Sequence, residues 1–269
     1  MPRFFVNLPL SYIAREPEYL AAFIARGLHP ELGLDSRALD ALAPAWHQET
    51  ASRLQDAGLT CSIHLPFLDL QPGALDPGIL AATRARLLHA LDVARIYAPR
   101  HLIGHAWYFE TLHRTFYDVW LTNAADTWEA VHNSWAGHPP LYLENTFEPM
   151  PEPLVELLGM LAGRGLQGIG LCLDLGHWHS FAQGVRLRNL DRWLDAFSPF
   201  LGHVHLHDNS GADDHHLGLG QGDIPWAEVF SGLAARGLSP TRTLEPHTAD
   251  DLEHSLAFIS GHPEWFPPA

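Results

Sequence analysis

Residues 202–223 gather five histidines (203, 205, 207, 215 and 216) and four aspartates (208, 213, 214 and 223) into twenty-two positions. In the first part, His203, His205 and His207 alternate with Gly202, Val204 and Leu206, the period of a strand. In the second, Asp213, Asp214, His215 and His216 lead into Gly218, Gly220 and Gly222, a polar, glycine-rich loop. Imidazole nitrogens and carboxylate oxygens this close together are the ligands that a borderline divalent ion takes. The stretch predicts a metal site at the end of a strand.

Apolar runs of strand length alternate with amphipathic runs of helix length along the whole chain, the pattern of repeated βα units around a parallel sheet. Eight strands are expected, at residues 3–7, 30–34, 60–65, 101–106, 141–145, 170–175, 202–207 and 242–246. Helices are expected at 17–27, 44–58, 76–97, 114–135, 151–165, 190–197, 225–237 and 249–260, several with proline in the first turn and glycine at the end. Eight such units predict an α/β fold of the (β/α)8 TIM barrel type, one domain over residues 1–269 with no linker or low-complexity break. The segments 65–78 and 208–223 are long for barrel loops, and long loops in compact domains are usually functional. The glycines at 218–222 follow a polar loop instead of opening off a strand, so they read as a flexible lid, not a nucleotide cradle.

Strand periodicity assigns the faces. Ile63, Leu141, Leu143, Leu171, Leu173, Val204, Leu206 and Leu244 point to the helices; Ser62, His64, Tyr142, Glu144, Cys172, Asp174, Thr243 and Glu245 point to the axis. Polar residues near the C-terminal strand ends fall where such barrels carry their active sites. Collected there are His64, His105, Glu144, Asp174, His205 and Glu245, with His203 and His207 on the same face as His205 and not separable from it by periodicity. The loops add His177, Asp214 and His216. Nine donors exceed what one ion uses, and a carboxylate such as Glu144 can bridge two ions, so a multinuclear site is admitted. The structural alternatives are a buried polar network for the carboxylates, substrate contacts for His64, His105 and His177, and a solvated acidic loop for Asp214 and His216. Phe67, Trp107 and Trp178 follow strand ends and offer either an apolar wall for a bound ligand or core packing.

Composition narrows the chemistry. All 16 basic residues are arginine, against 31 acidic ones, for a formal charge of −15. The absence of lysine excludes Schiff-base catalysis and pyridoxal attachment. A strongly negative surface also disfavours nucleic acid as a partner. Cys61 and Cys172 sit in apolar runs without a pairing pattern, and the first ten residues lack the features of a secretory signal, so a reducing, cytoplasmic setting with no membrane association is expected. Oligomeric state stays open, a homo-oligomer included.

Taken jointly, several motifs resemble the xylose isomerase-like barrels, which include sugar isomerases and epimerases and the endonuclease IV family of abasic-site repair enzymes. They are His64-Leu65-Pro66-Phe67 with Asp69-Leu70 and Pro72-Gly73; Leu143-Glu144-Asn145; Leu173-Asp174-Leu175-Gly176-His177; His203 to Asp208; Asp214, His216, Leu219, Gly220 and Gly222; and Leu244-Glu245. In the epimerase branch the resemblance implies one divalent ion held by Glu144, Asp174, His205 and Glu245, with Glu144 and Glu245 relaying a proton as the catalytic pair. It thereby selects His205 from the three strand histidines. In the endonuclease IV branch it implies three zinc ions on all nine positions, every one of which is filled, with Arg37 where a DNA-probing side chain would lie.

The missing lysines and the loop at 65–73, which has no basic or tyrosine side chain, favour a small polyhydroxylated substrate. The leading expectation is a sugar or sugar phosphate isomerase or epimerase using zinc or manganese. The alternatives are a multinuclear zinc phosphoesterase and a non-catalytic ligand-binding barrel.

Overall fold

A computed structural model of the chain describes residues 4–266. Its strands are β1 (Phe5–Pro9), β2 (Pro30–Gly33), β3 (Ser62–His64), β4 (Leu102–His105), β5 (Leu141–Glu144), β6 (Ile169–Asp174), β7 (Leu201–Leu206) and β8 (Thr241–Leu244). Each runs parallel to its neighbours, and β8 pairs back with β1 to close the barrel. Every expected strand is present within two residues of its predicted bounds. Arg3, where the first was expected to begin, lies outside the described residues.

The alternation read from sequence holds in three dimensions. Ile63, Leu141, Leu143, Leu171, Leu173, Val204, Leu206 and Leu244 are buried in the layer between barrel and helices. They meet Trp120 and Trp128 from the helix Tyr117–Ser134, Leu154, Leu157 and Leu161 from Glu152–Gly163, and Trp193 and Phe197 from Leu190–Phe197. Each such side chain contributes about 1.5–3 kcal/mol on burial. Gly104 shows how tight this layer is: a Cβ there would lie 2.4 Å from the Trp128 ring.

All eight expected helices form, and five short ones were not anticipated: Leu10–Arg15, Ser36–Ala41, Glu110–His113, Leu175–Ser180 and Gly184–Leu187. None exceeds six residues, too few for apolar periodicity to register. Most of them lie in the connections at the C-terminal ends of the strands, the end that carries the polar residues. Asp35 and Asp76 cap their helices by accepting from Ala38 N and from Gly78 N and Ile79 N. Among the described residues no helix is long and apolar enough to cross a membrane.

Candidate metal centre

Strand register brings the donors together. Pairing sets His105 of β4 beside Glu144 of β5, and Asp174 of β6 beside His205 of β7. Asp174 also begins the next element: it caps the helix Leu175–Ser180, its Oδ1 accepting from His177 N at 2.6 Å. One carboxylate thus ends a strand, starts a helix and fixes His177 on the first turn. Gly176 beside it must be glycine, because a Cβ there would lie 1.9 Å from the His207 ring.

Three groups of donors result. In the first, Glu144 Oε2 lies 3.2 Å from His64 Nε2 and 3.1 Å from His105 Nε2, and the two imidazole nitrogens are 3.2 Å apart. His64 Nδ1 donates to Leu65 O at 2.9 Å, so its Nε2 faces the cluster either with an extra proton or as a free lone pair. In the second, His205 Nδ1 faces three carboxylates, Glu144 Oε1 and Glu245 Oε1 at 3.3 Å and Asp174 Oδ2 at 3.7 Å. Neither His205 Nδ1 nor Asp174 Oδ2 has a hydrogen-bond partner, although both are buried. In the third, Asp214 Oδ2 lies 3.1 Å from His216 Nε2 and 3.3 Å from His177 Nε2. The Nδ1 atoms of these two imidazoles bond the Glu245 and Asn145 carbonyls, again at 2.9 Å, which aims both Nε2 atoms at Asp214.

The electrostatics are those of a site that calls for positive charge. Burial alone would raise the Glu144 carboxyl, but His205 and His105, with His177, hold it well below the usual carboxylate range. Burial pushes His177 and His205 down; the surrounding anions, Asp174, Asp214 and Glu144 around His177 and Glu245, Glu144 and Glu31 around His205, drive both well above the ordinary imidazole value. His216 is carried to about 9, against burial, by Asp214 and Glu245. Glu245 departs the other way: burial, reinforced by Glu144 and Asp174, raises its carboxyl despite His205. Protons on imidazoles here offset clustered carboxylates, and a divalent ion can replace them, because metal binding releases protons from its ligands. Orphaned donors, converging lone pairs and nitrogen–oxygen ligand chemistry all fit such an ion.

All nine sequence-predicted donors therefore converge. Contact separates the three histidines only in part: His203 lies deeper, between the Thr241 and Thr243 hydroxyls at 2.7 and 2.9 Å, while His207 Nε2 reaches Asp174 Oδ1 at 3.1 Å and groups with His177, Asp214 and His216. In the loop, Asp213 and His215 are exposed, whereas Asp214 is partly buried and His216 turns inward with φ of 51°. His216 stacks between His207 and His247, ring centroids 3.7 and 3.9 Å away.

One open alternative is decided and one expectation is corrected. Trp178 is buried, donating from Nε1 to Asn189 Oδ1, so it packs in the core instead of walling the mouth. Phe67 does lie against the site, 4.4 Å from the His105 ring. The glycine-rich run is a pinned loop, not a flexible lid. Asp208 and Leu217 exchange backbone hydrogen bonds, and the Asp208 carboxylate accepts from Gly220 N, Ile224 N and Trp226 Nε1. Sequence reasoning also missed Glu31, His101, Glu148 and His247. Glu31 sits in a strand read only as apolar, and its inward alternation was the available signal. Glu148 is buried beyond β5, where it accepts from Tyr108 N and Thr146 N, and burial raises its carboxyl to about 7.

Comparison with known proteins agrees with this architecture. The family described as xylose isomerase-like TIM barrel matches residues 26–262. The uncharacterized protein MJ1311 of Methanocaldococcus jannaschii is 25% identical over 213 residues, 75% of this chain and 69% of that protein. Among solved structures, the TTHB071 protein of Thermus thermophilus, soaked with ZnCl2, is 27% identical, covers 97% of both chains and superposes with a TM-score of 0.76. D-Psicose 3-epimerase of Clostridium cellulolyticum H10, solved with D-tagatose, shares the fold at 14% identity and a TM-score of 0.73, over 98% of this chain and 99% of that one.

Proposed function

The chain belongs to the xylose isomerase-like TIM barrel family, and from that membership and its donor set we propose that it is a divalent-metal-dependent enzyme that isomerises or epimerises a small polyhydroxylated substrate by moving a proton next to a carbonyl. The observation that carries this reading is the pair Glu144 and Glu245. Both reach His205 Nδ1 at 3.3 Å from different strands, yet Glu144 is held below the ordinary carboxylate range and Glu245 above it. Two carboxyls pushed apart in this way are suited to act as base and acid on one substrate carbon.

Glu144, Asp174, His205 and Glu245 would hold the ion, zinc or manganese by the mixture of imidazole and carboxylate. When bound, such an ion supplies Lewis acidity to substrate oxygens. Glu144 then accepts the proton beside the carbonyl and Glu245 returns one, while Phe67 excludes water from the His64 and His105 side. Sugar epimerases of the same fold, such as the D-psicose 3-epimerase above, support the substrate class. The two buried free thiols, Cys61 and Cys172, support a reducing, cytoplasmic setting. Incubation with candidate ketoses and aldoses in deuterated water tests the reaction. Glu144→Gln and Glu245→Gln each abolish incorporation of deuterium at the substrate carbon, and incorporation retained in both variants rejects the reading.

A second reading, hydrolysis of a phosphoester at a multinuclear site, has its own observation in its favour. His64 and His105 converge on Glu144, and His177 and His216 on Asp214, as groups beside the one around His205. Ion counting separates the two: one tightly held ion per chain with no phosphatase activity supports the isomerase, and two or three ions with phosphoester cleavage support the hydrolase.

A further inference from the structure

Beneath the donor cluster lies a carboxylate to which neither reading gives a task. Glu31, in the middle of β2, is wholly buried and points to the barrel axis. Its Oε2 accepts from Ser62 Oγ and from Thr243 Oγ1, both at 2.9 Å, across a barrel that brings β3 and β8 to either side of it. These two hydroxyls fix the plane of the carboxylate. Its Oε1 lies at ion-pair distance, 3.0 Å, from His205 Nε2, and among the described residues both atoms are buried without a hydrogen-bond partner. The opposite face of the same ring, Nδ1, looks up at Glu144, Asp174 and Glu245.

An imidazole that gives up its Nδ1 proton to a cation must keep the one on Nε2, and only that arrangement leaves a lone pair at Nδ1. A carboxylate has acceptors alone, so it takes the Nε2 proton and leaves Nδ1 bare. Cys172 and His203 also lie near His205, but His203 is engaged by the Thr241 and Thr243 hydroxyls. Cys172 is held as a neutral thiol by burial. Glu31 is left as the anionic neighbour of Nε2.

We propose that Glu31 is the positioning residue of the metal centre: anchored by Ser62 and Thr243, it takes the Nε2 proton of His205 and thereby presents the Nδ1 lone pair to the ion. This rests on the reading of His205 as a ligand. It assigns Glu31 no contact with substrate or ion. Partners of this kind, carboxylates on the far nitrogen of a ligating histidine, typically change metal affinity 10- to 100-fold when removed.

The test uses the full chain, Zn2+ alone as probe, and Glu31→Gln, which keeps size and an acceptor for Ser62 and Thr243 but can turn an N–H toward Nε2. Zinc affinity is measured by competition with a chromophoric chelator, and the His205 tautomer by long-range 15N–1H correlation, resonances being assigned with a His205→Gln control. The expected result is a 10- to 100-fold weaker affinity at the His205 site and, in zinc-free protein at a pH high enough that the ring carries one proton, a shift of that proton from Nε2 to Nδ1, with affinity partly restored in Glu31→Asp. A folded Glu31→Gln protein with zinc affinity within twofold of wild type and the proton still on Nε2 overturns the proposal. Should Glu31→Gln not fold, Thr243→Ser and Thr243→Val carry the test: the first keeps the anchoring hydroxyl and wild-type affinity, the second loses both, and equal affinities in the two overturn it. Wild-type protein that binds no zinc, by contrast, fails the underlying metal reading and not the role of Glu31 alone.

Discussion

Two layers inside one barrel face the same problem and solve it differently. The lower layer holds Glu31, Ser62, His203, Thr241 and Thr243, and there hydroxyls meet Glu31 Oε2 and both nitrogens of His203, leaving Glu31 Oε1 bare. The upper layer holds Glu144, Asp174, His205 and Glu245 with no hydroxyl among them, and it leaves Asp174 Oδ2 and His205 Nδ1 without partners. Buried charge is costly unless paired and hydrogen-bonded. The lower layer meets most of that condition from its own side chains; the upper layer, on the proposed reading, would meet it with a cation. What separates a structural network from a metal centre is therefore the supply of donors, not the number of charged residues.

Removing the cation breaks the contrast most strongly. A ligand present at a thousandfold excess over its Kd stabilises by about 4 kcal/mol, and in a protein of this size each kcal/mol is worth roughly 2–4 °C. Exhaustive chelation should thus lower the melting temperature by the order of 10 °C, as read by calorimetry, with recovery on adding zinc or manganese. No shift on chelation would place the upper layer with the lower as a self-satisfied network.

Breaking one corner of the upper layer sharpens the contrast. Asp214→Asn keeps the size of the side chain but removes the anion on which His177 and His216 converge. Elemental analysis should find one ion fewer per chain if that group holds its own ion, and an unchanged count with weakened substrate binding if it does not. Thr243→Val acts on the other layer, withdrawing the hydroxyl shared by Glu31 and His203. Leaving buried polar atoms unpaired costs about 1–3 kcal/mol. Its melting temperature should fall in the chelated protein as well as in the loaded one, which a loss confined to metal binding would not produce.

How much of this was legible in the chain depends on which rule was read. The barrel and the inward placement of Ser62, His64, Glu144, Asp174 and Thr243 follow from the two-residue period, which a strand cannot evade. The same rule pointed Glu31 inward, but a single carboxylate among Pro30, Leu32 and Leu34 raised no alarm without its partners. Those partners, Ser62 and Thr243, lie 31 and 212 residues away, and only closure of the barrel joins them. The inward turn of His216 is expected from the family resemblance and not from spacing. It depends on a left-handed backbone and on stacking between His207 and His247, and neither leaves a trace in sequence spacing. The pinning of the loop is invisible in its glycines, because Asp208, which ties them down, looks in sequence like one more carboxylate.

The smallest effect expected tests whether protons and metal compete for the same atoms. His216 is lowered by burial but raised further by Asp214 and Glu245, to about 9. An imidazole whose folded value lies above its unfolded one stabilises the fold fully below the unfolded value, near 6.5, and loses that contribution as pH rises through the folded value. In chelated protein the His216 share of stability should therefore be complete at about pH 6 and decline towards pH 9, with His216→Gln flattening that part of the curve. In loaded protein the trend should reverse, because the ion needs the same nitrogen bare and binds more tightly as the proton leaves. Melting curves from pH 6 to 9.5 with and without zinc should consequently diverge with rising pH. Parallel curves would mean that the proton on His216 and the ion occupy different atoms, and would detach the Asp214 group from the metal centre.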